Sequence, residues 1–224
     1  MRTAKLLLAA SLLSSAPALA SIVTYTSSSA FEAALGSAPT SIEDYGSLTA
    51  GNVIAPGSTI DGITYTSFNL GSSTTQDGII SNQFNSFSGL SLGGDQNNNA
   101  AEFFFDSNSF DISFAPTYAI GVFFNVNQNS GTYGVNTPAG TATTGSASYD
   151  TDTFVFAGLI STTPFASAEI SSTSGGNGTA SYNIPEIILE STSTPTPEPA
   201  AITVTALGAG FLMALVLLRR RRAA

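Results

Sequence analysis

The chain reads as an all-β protein, an antiparallel β-sandwich of jelly-roll type with one short N-terminal helix. Three observations predict this. Between residues 21 and 190 the apolar residues come in short alternating runs, the period-two pattern of half-buried strands. Clusters of Gly, Asn, Ser and Pro separate those runs at regular spacing. No long amphipathic helical pattern occurs in that region, so sheet must pack on sheet.

The elements follow in order. Ile22-Val23-Thr24-Tyr25-Thr26 predicts the first strand. Ser29-Ala30-Phe31-Glu32 has the spacing of a capping box, with Ser29 as N-cap. It opens a helix through Leu35 that Gly36 stops. In residues 60–69, Ile63, Tyr65 and Ser67 alternate with Thr64, Thr66 and Phe68. Glu102-Phe103-Phe104-Phe105-Asp106 and residues 109–114 predict a hairpin across Ser107-Asn108. Residues 118–126 are nearly all apolar and predict a central strand. Thr153-Phe154-Val155-Phe156, residues 165–171 and residues 184–190 predict three more. Turns are expected at Gly158, Thr163-Pro164 and Gly175-Gly176-Asn177-Gly178. Phe104, Phe110, Phe114, Phe123, Phe154 and Phe156 are expected between the sheets.

The two ends carry addresses rather than fold. Residues 1–20 hold Arg2 and Lys5, an apolar stretch at 6–13, and Ala18-Leu19-Ala20. That is a secretory signal peptide, cleaved after Ala20 to leave Ser21. Residues 21–190 form the ectodomain. Residues 191–199 are a Pro/Thr-rich linker in which Pro195, Pro197 and Pro199 fix φ and remove backbone donors. Residues 200–218 are a 19-residue run without an ionisable side chain, the length of a transmembrane helix. Arg219, Arg220, Arg221 and Arg222 follow in the basic tail, residues 219–224, and mark the cytoplasmic side. The ectodomain is therefore expected outside the inner membrane.

Pro197-Glu198-Pro199, one hydrophobic helix and a terminal Arg cluster, in that order, resemble the PEP-CTERM sorting signal of Gram-negative bacteria. The resemblance implies an exosortase substrate, cut near Pro197-Glu198-Pro199. It implies an inner-membrane intermediate with a periplasmic ectodomain, and a product at the cell surface or in an exopolysaccharide matrix. The segments Phe31-Glu32-Ala33-Ala34-Leu35, Ile42-Glu43-Asp44-Tyr45, Gly57 with Ile60-Asp61-Gly62-Ile63-Thr64-Tyr65, and residues 156–165 resemble in their order the jelly-roll ectodomains found before such signals. Those are similar to carbohydrate-binding sandwiches. Where they carry an acidic or Asn-bearing segment near the last strand, this chain has Asn183-Ile184-Pro185-Glu186-Ile187.

Composition excludes several chemistries. Of 224 residues, six are Lys or Arg, and all six lie outside residues 21–194, which keep 14 of the 15 carboxylates and no His or Cys. Nucleic-acid binding lacks its phosphate-neutralising cations. Ser-His-Asp and Cys-His catalysis lack an imidazole, His/Cys zinc sites lack ligands, and disulfides are impossible. The surplus acid serves solubility or holds a structural Ca²⁺ through oxygen ligands.

Candidate ligands are Asp150 and Asp152, two carboxylates on one side of an extended chain, and Asp95 with Gln96-Asn97-Asn98-Asn99. Glu43 and Asp44 are adjacent, so on a strand they diverge. Asp106 with Asp111, or Asp150 with Asp152, are the nominal pairs for glycoside hydrolysis, but no spacing singles either out, and no enzyme is expected. Tyr133, Tyr149 and Tyr182 beside polar loops are candidate sugar-stacking platforms or ordinary sheet residues. Asn177-Gly178-Thr179 fits an N-glycosylation sequon. The expected role is structural, in an exopolysaccharide or biofilm matrix. The alternative is a lectin-like module, Ca²⁺-dependent or not, and a glycoside hydrolase comes third.

Overall fold

Two long strands run through the whole β-sandwich and belong to both of its sheets. The computed structural model describes residues 21–36, 39, 41–82, 89–95, 103–105, 107–127, 129–145, 147–149, 153–174 and 181–190. The chain divides into two units, Met1–Thr192 and Ser193–Ala224, and every described residue belongs to the first. Among the described residues no helix is long and apolar enough to cross a membrane. The expected signal peptide with Ala18 and Ala20, the Pro197-Glu198-Pro199 motif, the 200–218 helix and Arg219–Arg222 all lie outside them.

The long strands are β9 (Ser109–Asn127) and β13 (Thr153–Ser174), paired antiparallel along their length. In the first sheet, residues 109–113 of β9 lie between β5 (Ile63–Asn69) and residues 167–171 of β13. There β13 is flanked by β10 (Asn129–Thr137), and β10 by β11 (Gly140–Thr143). The short β4 (Thr59–Ile60) closes the other edge. β12 (Ala147–Tyr149) also pairs with β10. In the second sheet, residues 119–127 of β9 lie between residues 153–160 of β13 and β14 (Ser181–Glu190). Here β1 (Ile22–Tyr25) flanks β13 and β2 (Ser41–Glu43) flanks β14. A third group, β3 (Val53–Ile54), β6 (Asp77–Ser81) and β7 (Ser91–Asp95), joins β14 at Ile184↔Leu92.

Register explains the departures from the sequence reading. Gly158 and Thr163-Pro164 are not chain reversals. They lie inside β13, and Thr162, Thr163 and Pro164 bulge out, exposed, where the ladder shifts between Ile160 and Phe165 and again before Ser167. Such irregularities re-aim a strand that passes from one sheet to the next. A second bulge, at Thr66 of β5, reverses the expected alternation: Phe68 is buried and Ser67 faces outward. One inserted residue swaps the faces. The anticipated hairpin across Ser107-Asn108 does not form. β8 (Phe104–Phe105) pairs with β14 instead. The turn is real, though. The Asn108 N–H donates to the Phe105 carbonyl at 3.0 Å, and the Asn108 Oδ1 accepts from the Phe105 N–H at 2.7 Å. That side chain takes the donor a hairpin ladder would have used. The Asp61-Gly62 loop between β4 and β5 has φ of 45° and 86°, the positive pair that a two-residue I′ turn demands.

The space between the sheets is filled by rings. Tyr65, Phe68, Phe110, Phe104, Tyr182, Tyr133 and Phe124 form a connected chain with centroids 5.1–6.5 Å apart. Such pairs contribute about 0.5–1.5 kcal/mol each beyond burial. Of the six phenylalanines expected there, Phe104, Phe110 and Phe114 are in this core. Phe156 and the partly buried Phe123 lie on the other face of the second sheet, and Phe154 is 40% exposed. The cause is alternation on β9 and β13: Val122 and Phe124, Ala157 and Leu159 point into the sandwich, so their neighbours point out.

That outer face is covered by α1 (Ser28–Leu35). Its N-cap is Ser27, two residues before the expected Ser29: Ser27 Oγ accepts from the Ala30 N–H at 3.4 Å, and its carbonyl accepts from Phe31 N–H. Gly36 ends the helix in the left-handed region, φ 70°, as the sequence predicts. Phe31 and Leu35, one turn apart, are buried with Ala119, Phe156, Ile160 and Ile188. The floor under the rings is the cross-strand pair Gly121↔Gly158. A Cβ on Gly121 would lie 2.7 Å from Phe156 and 3.0 Å from Phe31; on Gly158 the distances are 2.8 and 3.0 Å. Gly158 therefore serves close approach, not a turn.

Buried acid is the fold's main electrostatic burden. Glu43 is fully buried on β2, with its Oε1 accepting from the Tyr45 N–H at 2.7 Å. Burial raises its pKa, the Tyr45 bond opposes that, and Asp61 and Asp44 add to the rise. Burial, then Glu32 and Asp44, raise Glu186. Tyr45 and Tyr65, whose hydroxyls lie 3.2 Å apart, are pushed up chiefly by burial.

Two predictions arise here. Phe31→Ala should cost about 3–5 kcal/mol and Gly158→Val about 1–3 kcal/mol through displaced rings. Because both act on one contact, the double variant in a denaturant titration should lose less than the sum. A carboxyl whose folded pKa is raised above its unfolded value loses stability as pH climbs through that interval. The protein should therefore melt higher at pH 4 than at pH 7, opposite to ordinary acid denaturation. Glu43→Gln should raise the melting temperature at pH 7 and leave it nearly unchanged at pH 4, as read by circular dichroism.

Candidate functional site

Strand register sorts the first sheet into rows of side chains. Phe68, Phe110, Ile170, Val135 and Ala142 stand side by side across five strands, and all are buried. One residue along lies the row Ser67, Asp111, Glu169, Asn136 and Thr141, pointing outward. Thr64, Ser113 and Ser167 continue that face. The outer surface of this sheet is thus a field of hydroxyls, amides and carboxylates.

A groove of about 550 Å³ opens in it. Asp111, Ser113, Ser167, Glu169, Asn136 and Thr66 supply its polar lining, the buried Ile112 and Ala168 its floor, and the Thr137-Pro138 turn one wall. The groove coincides with the bulge at Thr66 and the ladder shift before Ser167. Bulges bend strands and increase twist, which is how an otherwise level sheet face acquires a concavity.

The polar groups are held in place locally. Ser67 Oγ donates to Asp111 Oδ2 at 2.6 Å, and Thr66 Oγ1 donates to the Asp111 carbonyl at 3.1 Å. Thr141 Oγ1 donates to Asn136 Oδ1 at 2.8 Å. Thr137 Oγ1 donates to the Gly140 carbonyl at 2.9 Å and accepts from the Ala139 and Gly140 N–H groups, each at 3.2 Å. Asp111 and Glu169 stand directly opposite each other on neighbouring strands. Like charges directly opposite on neighbouring strands are destabilising, and residues 21–194 contain no basic side chain to relieve them. Among the described residues the lining contains no aromatic ring, and the chain has no imidazole or thiol to place there. It can exchange hydrogen bonds with hydroxyls and attract positive charge.

Among the described residues, Asp111 is the one candidate site residue singled out in the sequence that lines this groove. Its nominal partner Asp106 lies outside the described residues, as do Asp150, Asp152, Gln96-Asn97-Asn98-Asn99 and the Asn177-Gly178-Thr179 sequon. Asp95 ends β7, nearly buried and cross-strand from Asp77. Burial and then Asp77 raise its pKa, while its carbonyl accepts from Thr75 Oγ1 at 2.5 Å. Among the described residues no group of three acidic side chains is placed to hold a metal ion. Glu43 and Asp44 diverge as expected, one buried and one exposed. Tyr133 and Tyr182 are not surface platforms. Both are fully buried, and the Tyr182 hydroxyl donates to the Asn108 carbonyl at 2.8 Å. They fill the gap between the sheets because β10 and β14 turn those positions inward. The side chain of Tyr149 lies outside the described set. Glu169, Asn136 and Ser167 escaped notice because only strand register brings them beside Asp111.

No family model matches the chain. No curated protein matches it either. Among solved structures, it is similar to a carbohydrate binding module from Cellvibrio mixtus lichenase 5A, in complex with cellotriose. The identity is 10%, over 65% of this chain and 100% of that one, with a TM-score of 0.27. A TM-score this low assigns neither topology nor ligand to this chain.

Proposed function

We propose that this protein is an exported component of an extracellular polymer matrix that holds carbohydrate in the groove on its first sheet. The observation that carries the reading is the groove's lining: hydroxyl, amide and carboxylate groups on rigid strands, around a space the size of a small-ligand site. Sugars present the complementary hydroxyl array. Export is supported by the segments at 1–20 and 191–224. On this reading residues 1–20 direct secretion and exosortase acts near Pro197-Glu198-Pro199. The inner membrane holds the 200–218 helix until then. No catalytic role is assigned. The groove lacks an imidazole or thiol nucleophile system, and Asp111 and Glu169 act as binding groups.

Co-sedimentation with a panel of purified polysaccharides should retain the protein on at least one. Ser167→Trp, which fills the groove from its rim, should weaken retention at least about tenfold, or 1.4 kcal/mol. Equal retention of the variant would overturn the binding role, and release of soluble sugar by the wild type would overturn the non-catalytic one. Export has its own readout. Intact mass of protein washed from the cell surface should lack both residues 1–20 and the four terminal arginines. Retained arginines would establish a permanent anchor instead.

A further inference from the structure

We infer that the groove selects polysaccharides bearing free amino groups and rejects those bearing uronic acids. The inference rests on the binding role proposed above and goes on to name the class of sugar. Three observations support it. Among the described residues the lining has no aromatic side chain, so the apolar face of a neutral sugar ring finds no stacking partner there and little of its affinity can come from that source. Asp111 and Glu169 face each other across adjacent strands, with side chains separated by roughly 4.5–5.5 Å at Cβ. Nothing basic within residues 21–194 neutralises them.

An ammonium entering between these carboxylates removes their mutual repulsion and gains charge-assisted hydrogen bonds to both. A carboxylate on the ligand brings a third negative charge to the same place. The hydroxyls of Thr66, Ser113 and Ser167 and the amide of Asn136 then match the ring hydroxyls of a sugar. That hydroxyl-matched surround favours a glycan amine over the side chain of a basic peptide.

The test uses the full chain and four probes of equal length: a glucosamine hexamer, its N-acetylated form, a galacturonate hexamer and hexalysine. Calorimetry at a pH where the glucosamine amines are protonated should rank glucosamine at least tenfold above N-acetylglucosamine, with galacturonate weakest. Asp111→Asn with Glu169→Gln should bring glucosamine down to the N-acetylated level without changing the latter. Asp44→Asn with Asp61→Asn removes the same charge from exposed positions elsewhere and should preserve the ranking. Binding of the sugars without charge order, or loss of the ranking in the remote pair, overturns this inference alone. Tighter binding of hexalysine than of glucosamine overturns the glycan assignment. Absence of binding by every probe also overturns this inference, while retention on the polysaccharide panel and its loss in Ser167→Trp decide the groove's role separately.

Discussion

A sandwich assembled without a single basic side chain between residues 21 and 194 must deal with fourteen carboxylates by other means. No side-chain ion pair is possible there. Glu43 is held by a backbone N–H, Asp111 by a serine hydroxyl, and Asp44 by the Gly46 N–H at 2.9 Å. Such bonds stabilise the charged form less than a buried cation would, and burial outweighs them at Glu43. Cohesion must then come from burial and ladder bonds. The ring chain between the sheets and the glycine-floored contact under α1 are where that burial is concentrated.

The same constraint shapes the groove. A lysine or arginine nearby would relieve a cross-strand acidic pair. Here Asp111 and Glu169 are left with hydroxyls and an amide for company. The site therefore has an electrostatic bias built in by composition and a shape built in by two strand irregularities. Composition sets the sign of its charge, while register decides which residues meet.

How far the sequence could be read follows from this division. Fold class was legible because alternation and turn chemistry are local properties. The central strand over residues 118–126 and the helix stop at Gly36 were legible for the same reason. The inward turn of Phe68, the continuity of β13 through Pro164, and the partner of β8 were not, since each depends on a bulge or on pairing between distant segments. Tyr133 and Tyr182 illustrate the ambiguity of an aromatic flanked by polar residues: it suits a wet binding face or a buried row equally well until register is known. Glu169 was invisible as a partner of Asp111 because 58 residues separate them in the chain. Gly158 resembled a turn residue, and only the rings of Phe31 and Phe156 reveal that the missing Cβ is what matters.

The last strand has a mechanical meaning. β14 is hydrogen-bonded to β9 along much of its length and to β2 on its other side, and the chain leaves it at Glu190. Tension applied downstream of that residue runs along the strand axis, perpendicular to those hydrogen bonds. The ladder is then loaded in shear, with many bonds sharing the force, rather than peeled open one at a time.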